Sequence, residues 1–197
     1  MKQIKIVVRK NEEKLLPIFW LNNKEKEIQI TARLVGDNSR LTIVGIFFGD
    51  SANSVVFNTD VTHEGLHTKS LTFVRAVFKD TASFNNDGMV RIRKGAKNAN
   101  GYFNSKVLLF DDAKGRSVPS LEIDENEVKA GHASTIGRPD ENQLFYLKSR
   151  GLSEREAQEL IISGFFMPAI EKLPAYEQNT NTKKLLRAIG TGGSFTV

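Results

Sequence analysis

Hydrophobic and polar residues alternate along most of the chain before Glu127, and this alternation predicts β-strands. In "EIQITARLV" the apolar Ile28, Ile30 and Leu34 alternate with polar side chains, as in a strand with one buried face. "LTIVGIFFG", residues 41–49, is apolar on both faces and predicts a strand that is covered on both sides. Further strands are predicted at SVVFN, LTFVRAVFK, MVRIR, YFNSKVLLF and PSLEI.

Turn-forming clusters such as GDNS, GDSANS, NNDG and KGAKNANG separate these predicted strands. The strand centres lie roughly 14–17 residues apart, whereas a β-sandwich usually spaces its strands at roughly 8–12 residues. No segment between the strands is long enough for a crossover helix. The spacing therefore favours a β-solenoid, in which each coil covers its neighbours, but by itself it leaves a sandwich or jelly roll open.

After Gly137 the pattern changes to that of helices. Asp140 with Gln143 resembles a capping box, in which a side-chain oxygen accepts a hydrogen bond from a free amide of the first turn. Gly151 is well placed to end this helix, which is predicted over about residues 141–150. Its apolar side would consist of Leu144, Phe145 and Leu147.

A second helix is predicted to start at Ser153, which with Glu156 repeats the capping device, and to stop before Pro168. Its apolar residues at helical spacing are Ala157, Leu160, Ile161 and Phe165. Beyond them KKLLRAIG predicts two turns of helix, and GTGGSFTV lacks the flanking strand and helix of a phosphate-binding loop and predicts a flexible end. The predicted organisation is a β core at 1–137, a helical hairpin at 138–173 and a partly flexible tail at 174–197.

Composition narrows the functional classes. The 197 residues carry a formal net charge of +5, but Lys and Arg are spread along the chain, and the densest run, RIRKGAK, fits a solvated strand and turn. No apolar stretch approaches the ~18 residues of a membrane span, and early charges interrupt any signal peptide. We therefore expect a cytoplasmic protein with neither a nucleic acid nor a membrane as partner.

The chain contains no cysteine, which excludes disulfides, a thiolate nucleophile and any metal or cluster site built on its own thiolates. No G-x-S-x-G elbow is present, and the acidic pairs at 111–112 and 124–125 fit solvated turns better than a glycosidase cleft. HEGLH, residues 63–67, matches the letters of a zinc-hydrolase H-E-x-x-H motif. That motif needs a helix, whereas Gly65 and strand-like flanks indicate a turn, so this hypothesis ranks third and no enzyme is expected.

The segment from about Val61 to Phe166 resembles the SufB/SufD family, the scaffold proteins of the SUF system of iron–sulfur cluster assembly. Family members show P-x-L-E-I, then V-K-C-S-H-G-A-T-V-G, then D-E-x-x-L-F-Y-L-x-S-R-G before a helix pair that ends in G-F. The matching residues in this chain are Pro119, Leu121, Glu122, Ile123, Val128, Lys129, His132, Thr135, Gly137, Asp140, Glu141, Leu144, Phe145, Tyr146, Leu147, Ser149, Arg150, Gly151, Gly164 and Phe165.

The resemblance implies a mainly β fold, a right-handed parallel β-helix followed by a small C-terminal α-helical hairpin. It also implies a scaffold subunit whose helices dock onto SufC, an ABC-type ATPase, and whose β-helix pairs with a SufB-like chain or with a second copy. The implied docking residues are Leu144, Phe145, Leu147, Leu160, Ile161 and Phe165. The alternative is a β-solenoid interaction module that has lost cluster chemistry.

His132 aligns with the histidine of the family's S-H-G-A-T turn, which implies that it contacts iron or a nascent cluster at the partner interface. The alternative role for His132 is to cap a β-helix corner through hydrogen bonds. Ala130 replaces the cysteine of this turn, and the SufB-type scaffold cysteine, which would fall near Lys114, is also absent. The chain is therefore closer to SufD, short and free of cysteine. We expect it to bind no cofactor stably alone and to hold a transient cluster only in a complex.

Overall fold

The computed structural model describes residues 1–190, which form ten β-strands followed by three α-helices. The strands are β1 Lys2–Val8, β2 Glu13–Leu21, β3 Glu27–Leu34, β4 Arg40–Gly49, β5 Ser54–His63, β6 Lys69–Phe78, β7 Ser83–Ile92, β8 Asn100–Leu109, β9 Lys114–Ile123 and β10 Lys129–Gly137. The helices are α1 Glu141–Ser149, α2 Glu154–Ile170 and α3 Ala175–Ile189.

The strands form two parallel five-stranded sheets, with the orders β1-β3-β5-β7-β9 and β10-β8-β6-β4-β2. Each coil of the chain gives one strand to each sheet, so the strands form a β-solenoid of about five coils. Every pairing joins a strand to the strand two further along the chain in parallel register, which a sandwich or jelly roll built of hairpins cannot do. The predicted β-solenoid is confirmed.

The two corners of each coil are held by residues with left-handed backbone conformation. One corner ladder consists of Asn11, Asn38, His67 and Asn98, and the other of Asn22, Ser51, Asp80 and Asp111, all with φ between 50° and 58°. In the first ladder each backbone N–H donates to a carbonyl of the following coil. Asn and Asp adopt this conformation more readily than other non-glycine residues. The clusters GDNS, GDSANS and KGAKNANG correspond to corners of the solenoid, but the predicted turn NNDG is wrong, because these residues lie within β7.

The inward side chains of both sheets form the interior of the solenoid. A column of aromatic rings fills its middle: Phe47 lies 4.7 Å from Phe57 and 5.0 Å from Phe84, and Phe78 lies 5.2 Å from Phe84, measured between ring centroids. Trp20 stacks on Phe78 in the same column. All five side chains are inaccessible to solvent, so the alternation read from the sequence corresponds to an aromatic and aliphatic core.

The helices cover part of the outer face of the sheet made by the even-numbered strands. Val44, Ile46 and Val77 pack there against Ile162 and Phe166 of α2. Ser153 and Glu156 form the predicted capping box at the start of α2. Within residues 1–190 no helix combines the length and apolar character needed to cross a membrane.

Two predictions about the helices were wrong. Helix α2 does not stop before Pro168 but runs to Ile170. Pro168 removes one backbone hydrogen bond near the end of the helix. Phe166 and Ala169 on either side of Pro168 are fully buried, and their packing outweighs the loss of that hydrogen bond. The region after Leu173 forms a third helix of 15 residues instead of two turns. Most of the predicted flexible end, residues 191–197, lies outside the described residues.

Candidate functional site

The solenoid ends at its C-terminal side in two edge strands, β9 and β10. Within residues 1–190, β10 pairs only with β8, and β9 pairs only with β7, so each leaves one row of backbone groups without a strand partner. Their inward side chains are only partly covered because no further coil follows: Ile123 and Ile136 remain 43% and 38% exposed. We call this surface the open end of the solenoid.

His132 lies in the middle of the open end. It is in register with Phe103 of β8, whose side chain is buried inside the solenoid, so His132 belongs to the same inward row. Unlike Phe103 it is exposed, since it lies on the last strand. Its imidazole forms no hydrogen bond with any other residue of 1–190, so the structure gives no support to the alternative that it caps a corner through hydrogen bonds.

The interior next to the open end is polar, a feature that the sequence analysis missed. Asn86 and Ser105 are fully buried and joined by a hydrogen bond of 3.1 Å from Asn86 Nδ2 to Ser105 Oγ. Ser117 of β9 lies in register with Asn86, and Ser134 of β10 with Ser105. Asn86 Oδ1 and Ser117 Oγ are buried oxygens without a hydrogen-bond donor within residues 1–190. A row of polar groups thus extends from the interior to the strand that carries His132.

The segment HEGLH does not form a zinc site. It lies at the end of β5 and in the following corner, not on a helix. His63 is inaccessible to solvent, with Nδ1 2.7 Å from Thr68 Oγ1 and Nε2 2.7 Å from Ser70 Oγ, and burial lowers its pKa to about 4. His67 is exposed in a corner ladder, and Glu64 forms an ion pair with Arg33.

Within residues 1–190 no group of three or more His, Asp or Glu side chains is arranged to hold a metal. Both ring nitrogens of His63 contact hydroxyl groups and the segment is not helical, so the zinc-hydrolase hypothesis is wrong. Its alternative, two polar turn residues, holds for His67 only, because His63 is part of the buried interior.

The six predicted docking residues lie together on α1 and α2. None of them is fully buried: Phe145 is 74% exposed and Leu160 is 40% exposed. The others, Leu144, Leu147, Ile161 and Phe165, are half-buried. Leu147 and Ile161 line a cleft between the two helices together with Tyr146, which is 56% exposed and was not among the predicted residues. The α1–α2 surface is therefore an exposed apolar patch of the kind found at protein interfaces.

Comparison with known proteins identifies relatives of this chain. The sequence model described as "SUF system FeS cluster assembly, SufBD core domain" matches residues 6–165, and therefore also the early coils that the resemblance did not include. The chain is 36% identical over 155 residues to "Iron-sulfur cluster assembly protein SufD" of Bacillus subtilis (strain 168), which covers 78% of this chain and 36% of that protein.

Two mycobacterial proteins are also similar. An iron–sulfur cluster assembly SufBD family protein of Mycobacterium tuberculosis (strain ATCC 25618 / H37Rv) is 36% identical over 154 residues, or 74% of this chain and 39% of that protein. One of Mycobacterium leprae (strain TN) is 28% identical over 142 residues, or 72% of this chain and 16% of that protein. The chain thus spans less than two-fifths of the length of these relatives. Since the family's core-domain model extends over most of it, the chain belongs to the SufBD family.

Proposed function

We propose that this chain is a SufD-like scaffold subunit of iron–sulfur cluster assembly that performs no catalysis alone. It works with a SufC-like ABC ATPase and with a SufB-like partner that carries cysteine. The observation that carries the proposal is the exposed His132 in the inward row of an uncovered solenoid end. Family membership supports the role in cluster assembly.

The open end is the surface through which the chain pairs with its partner. Edge strands with unpaired backbone groups favour pairing with strands of another chain. The apolar Ile123 and Ile136 add area that loses contact with water on pairing. The partner is a SufB-like chain or a second copy, and in either case the pairing brings its residues next to His132.

The contribution of His132 is a nitrogen ligand or proton carrier for a nascent cluster, which is the cargo of the assembly system. A neutral imidazole binds iron well and also exchanges protons near neutral pH. Sulfur is accepted as a persulfide on a thiolate, and the chain contains no cysteine. The partner therefore supplies the sulfur, and the cluster is held only transiently within the complex.

The α1–α2 surface docks the ATPase. An exposed aromatic residue such as Phe145, beside a cleft between two helices, has the character of an interface anchor. We expect Phe145→Ala and Leu160→Asp to weaken ATPase binding, the second more strongly because it places a charge among apolar groups. Neither change removes a fully buried side chain, so the fold is retained.

Cluster yield in a reconstituted complex tests the role of His132. The complex with the ATPase and the cysteine-bearing partner is supplied with iron and a sulfur donor, and cluster formation is followed by absorbance. We expect His132→Ala to lower the yield and His67→Asn, which changes an exposed histidine at a left-handed corner to a residue suited to that corner, to leave it unchanged. A wild-type yield from His132→Ala would reject the assigned role.

A second candidate function is a β-solenoid interaction module without cluster chemistry. The observation in its favour is Ala130, which stands in the inward row two residues before His132 where the family has cysteine. If this candidate is correct, the chain still binds the ATPase and the SufB-like partner. Neither the wild-type chain nor His132→Ala then changes the cluster yield of the partner. The reconstitution therefore distinguishes the two.

A further inference from the structure

The helices leave half of the outer face of the even-strand sheet uncovered, and this half is basic. Three cations stand at strand starts in one row across the sheet: Arg40 on β4, Lys69 on β6 and Lys129 on β10, with Asn100 of β8 between the last two. Nearer the helices, Arg75 and Lys106 are in register with each other. Lys172 lies just beyond α2, with its Nζ 4.6 Å from the centroid of the Phe73 ring. We call these six residues and the sheet between them the basic face.

Within the described part of the chain, the cations of the basic face are not neutralised by ion pairs. None of its six cations forms an ion pair with an acidic side chain of residues 1–190. The other sheet differs, because Arg33, Arg91 and Arg116 on its outer face all pair with acids. Two carboxylates do line grooves of the basic face. Glu13 lies next to Arg40 in register but outside ion-pair distance. Glu127 lies beside Lys69 and Lys129 but pairs with Lys97.

Arg75, at the covered edge of the basic face, also lacks an acidic partner within residues 1–190. Its side chain is only 6% exposed, and its Nη1 donates to Asn104 Oδ1 at 2.9 Å and to the carbonyl of Val74 at 2.7 Å. Its guanidinium stacks on the ring of Phe73, 3.8 Å from the centroid. All of these partners are neutral. A buried arginine normally has an acidic partner. Arg75 has none among the described residues, but it lies under the covered part of the sheet, so the exposed cations supply most of the charge that a ligand would meet.

The floor of the basic face is apolar and shaped by a glycine. The second outward row contains Leu71, which is half-buried, and Tyr102, which is 44% exposed. The ring of Tyr102 lies over Gly131 of the neighbouring strand, where a Cβ would stand 2.8 Å from ring carbon Cε1. The absence of a side chain at Gly131 therefore lets the ring lie along the sheet as part of a continuous surface.

We propose that the basic face is a docking site for an acidic polypeptide segment of a partner protein that carries apolar side chains among its carboxylates. The four strands β4, β6, β8 and β10 span about 15 Å, the length of four to five extended residues. The carboxylates pair with the strand-start cations, and the apolar side chains contact Leu71 and Tyr102. This surface shares strand β10 with the open end but uses the outward side chains of that strand, and it is separate from the α1–α2 surface. The proposal does not depend on cluster assembly.

The observations favour a peptide over a nucleic acid. Proteins that bind single strands combine cations with several aromatic platforms for the bases, whereas Tyr102 is the one exposed aromatic residue on the strands of the basic face within residues 1–190. The strand-start cations are also separated by about 20 Å from Arg75 and Lys106, six residues further along the strands, with an apolar floor between them.

Fluorescence anisotropy with the whole chain tests the proposal. The probe is a labelled twelve-residue peptide with three repeats of Glu-Leu-Glu-Glu, and the comparisons are the same peptide with Gln for Glu and a dodecamer of deoxythymidine. We expect the acidic peptide to bind, the Gln peptide not to bind, and binding to weaken as NaCl rises from 50 to 300 mM because salt screens exposed charges.

Charge reversals locate the site. Lys69→Glu is expected to weaken peptide binding by about fivefold or more, the equivalent of about one close ion pair in water. Arg40→Glu provides a second, independent variant, and circular dichroism checks that both are folded. The matched control is Lys5→Glu, which reverses an exposed lysine on β1 in the other sheet and should leave binding unchanged. Absence of peptide binding, equal losses from Lys5→Glu, or tighter binding of the oligonucleotide would each overturn the proposal.

Discussion

Acid should destabilise this fold through one histidine, His63. Its ring is inaccessible to solvent and lies between the hydroxyl groups of Thr68 and Ser70. The Thr68 hydroxyl donates to the carbonyl of Gly65, so its oxygen accepts from Nδ1–H, and Nε2 accepts from Ser70. A proton on Nε2 would break the bond from Ser70 and place a charge in the interior.

The size of the effect follows from the pKa values. Burial lowers the pKa of His63 from 6.5 to about 4, so in the unfolded chain this group binds a proton at a higher pH than in the folded chain. Its neutral form therefore contributes stability that is fully present above the unfolded pKa and is lost as pH falls. The loss reaches about 2 kcal/mol at pH 5 and about 3 kcal/mol below pH 4.

Urea unfolding of the wild type and His63→Gln at pH 7 and pH 5 measures this contribution. Trp20 is the only tryptophan and is fully buried, so its fluorescence reports unfolding. We expect the variant to be less stable at pH 7 and the difference in free energy of unfolding to shrink by about 2 kcal/mol at pH 5. His67→Asn, which keeps a residue suited to the left-handed corner, is the control and should keep a constant difference from the wild type. A His63→Gln difference that stays the same at both pH values would refute the reasoning.

Three further predictions concern packing and capping, and thermal or urea unfolding checks each. Gly88→Ala should lower the free energy of unfolding by about 1–3 kcal/mol, because the new Cβ would stand 2.0–2.5 Å from ring atoms of Phe103. Gly164→Ala in helix α2 should raise it by about 0.5–1 kcal/mol, because a Cβ there has no neighbour within 4 Å. Equal effects of the two changes would contradict the packing argument. Ser153→Ala should cost about 1 kcal/mol through loss of the cap of α2, and no change in stability would count against that cap. Phe166→Ala should cost about 3–5 kcal/mol, since this fully buried ring joins the helices to the sheet, and a cost below 1 kcal/mol would mean that the helices pack elsewhere.

The period-two pattern predicted the strands and their inward faces well, because alternation depends only on which side chains enter the core. It also contained a signal that was not used: His63 continues the inward series of Val55, Phe57 and Val61 along β5. The strand period would have placed His63 inside the solenoid and His67 outside it. The letters of the H-E-x-x-H motif alone do not distinguish these two positions.

Other features depend on contacts between distant parts of the chain, which local patterns do not contain. Helix α2 passes through Pro168 because its apolar residues meet strands β4 and β6, which lie far earlier in the chain. The polar row of Asn86 and Ser117 becomes visible only when strands 31 residues apart are placed in register. In the same way, the basic face combines cations from four strands and the helix region, although Lys and Arg are spread evenly along the sequence.

Copurification with its proposed partners tests the central claim most directly. The chain is coexpressed with a SufC-like ATPase and a cysteine-bearing SufB-like protein, and only the ATPase carries an affinity tag. We predict that the wild type is recovered with the tagged ATPase and that Leu160→Asp is not, although the variant remains folded by circular dichroism. Failure of the folded wild-type chain to copurify, or equal recovery of Leu160→Asp, would contradict the assignment of this chain as a scaffold subunit that docks the ATPase through α1 and α2.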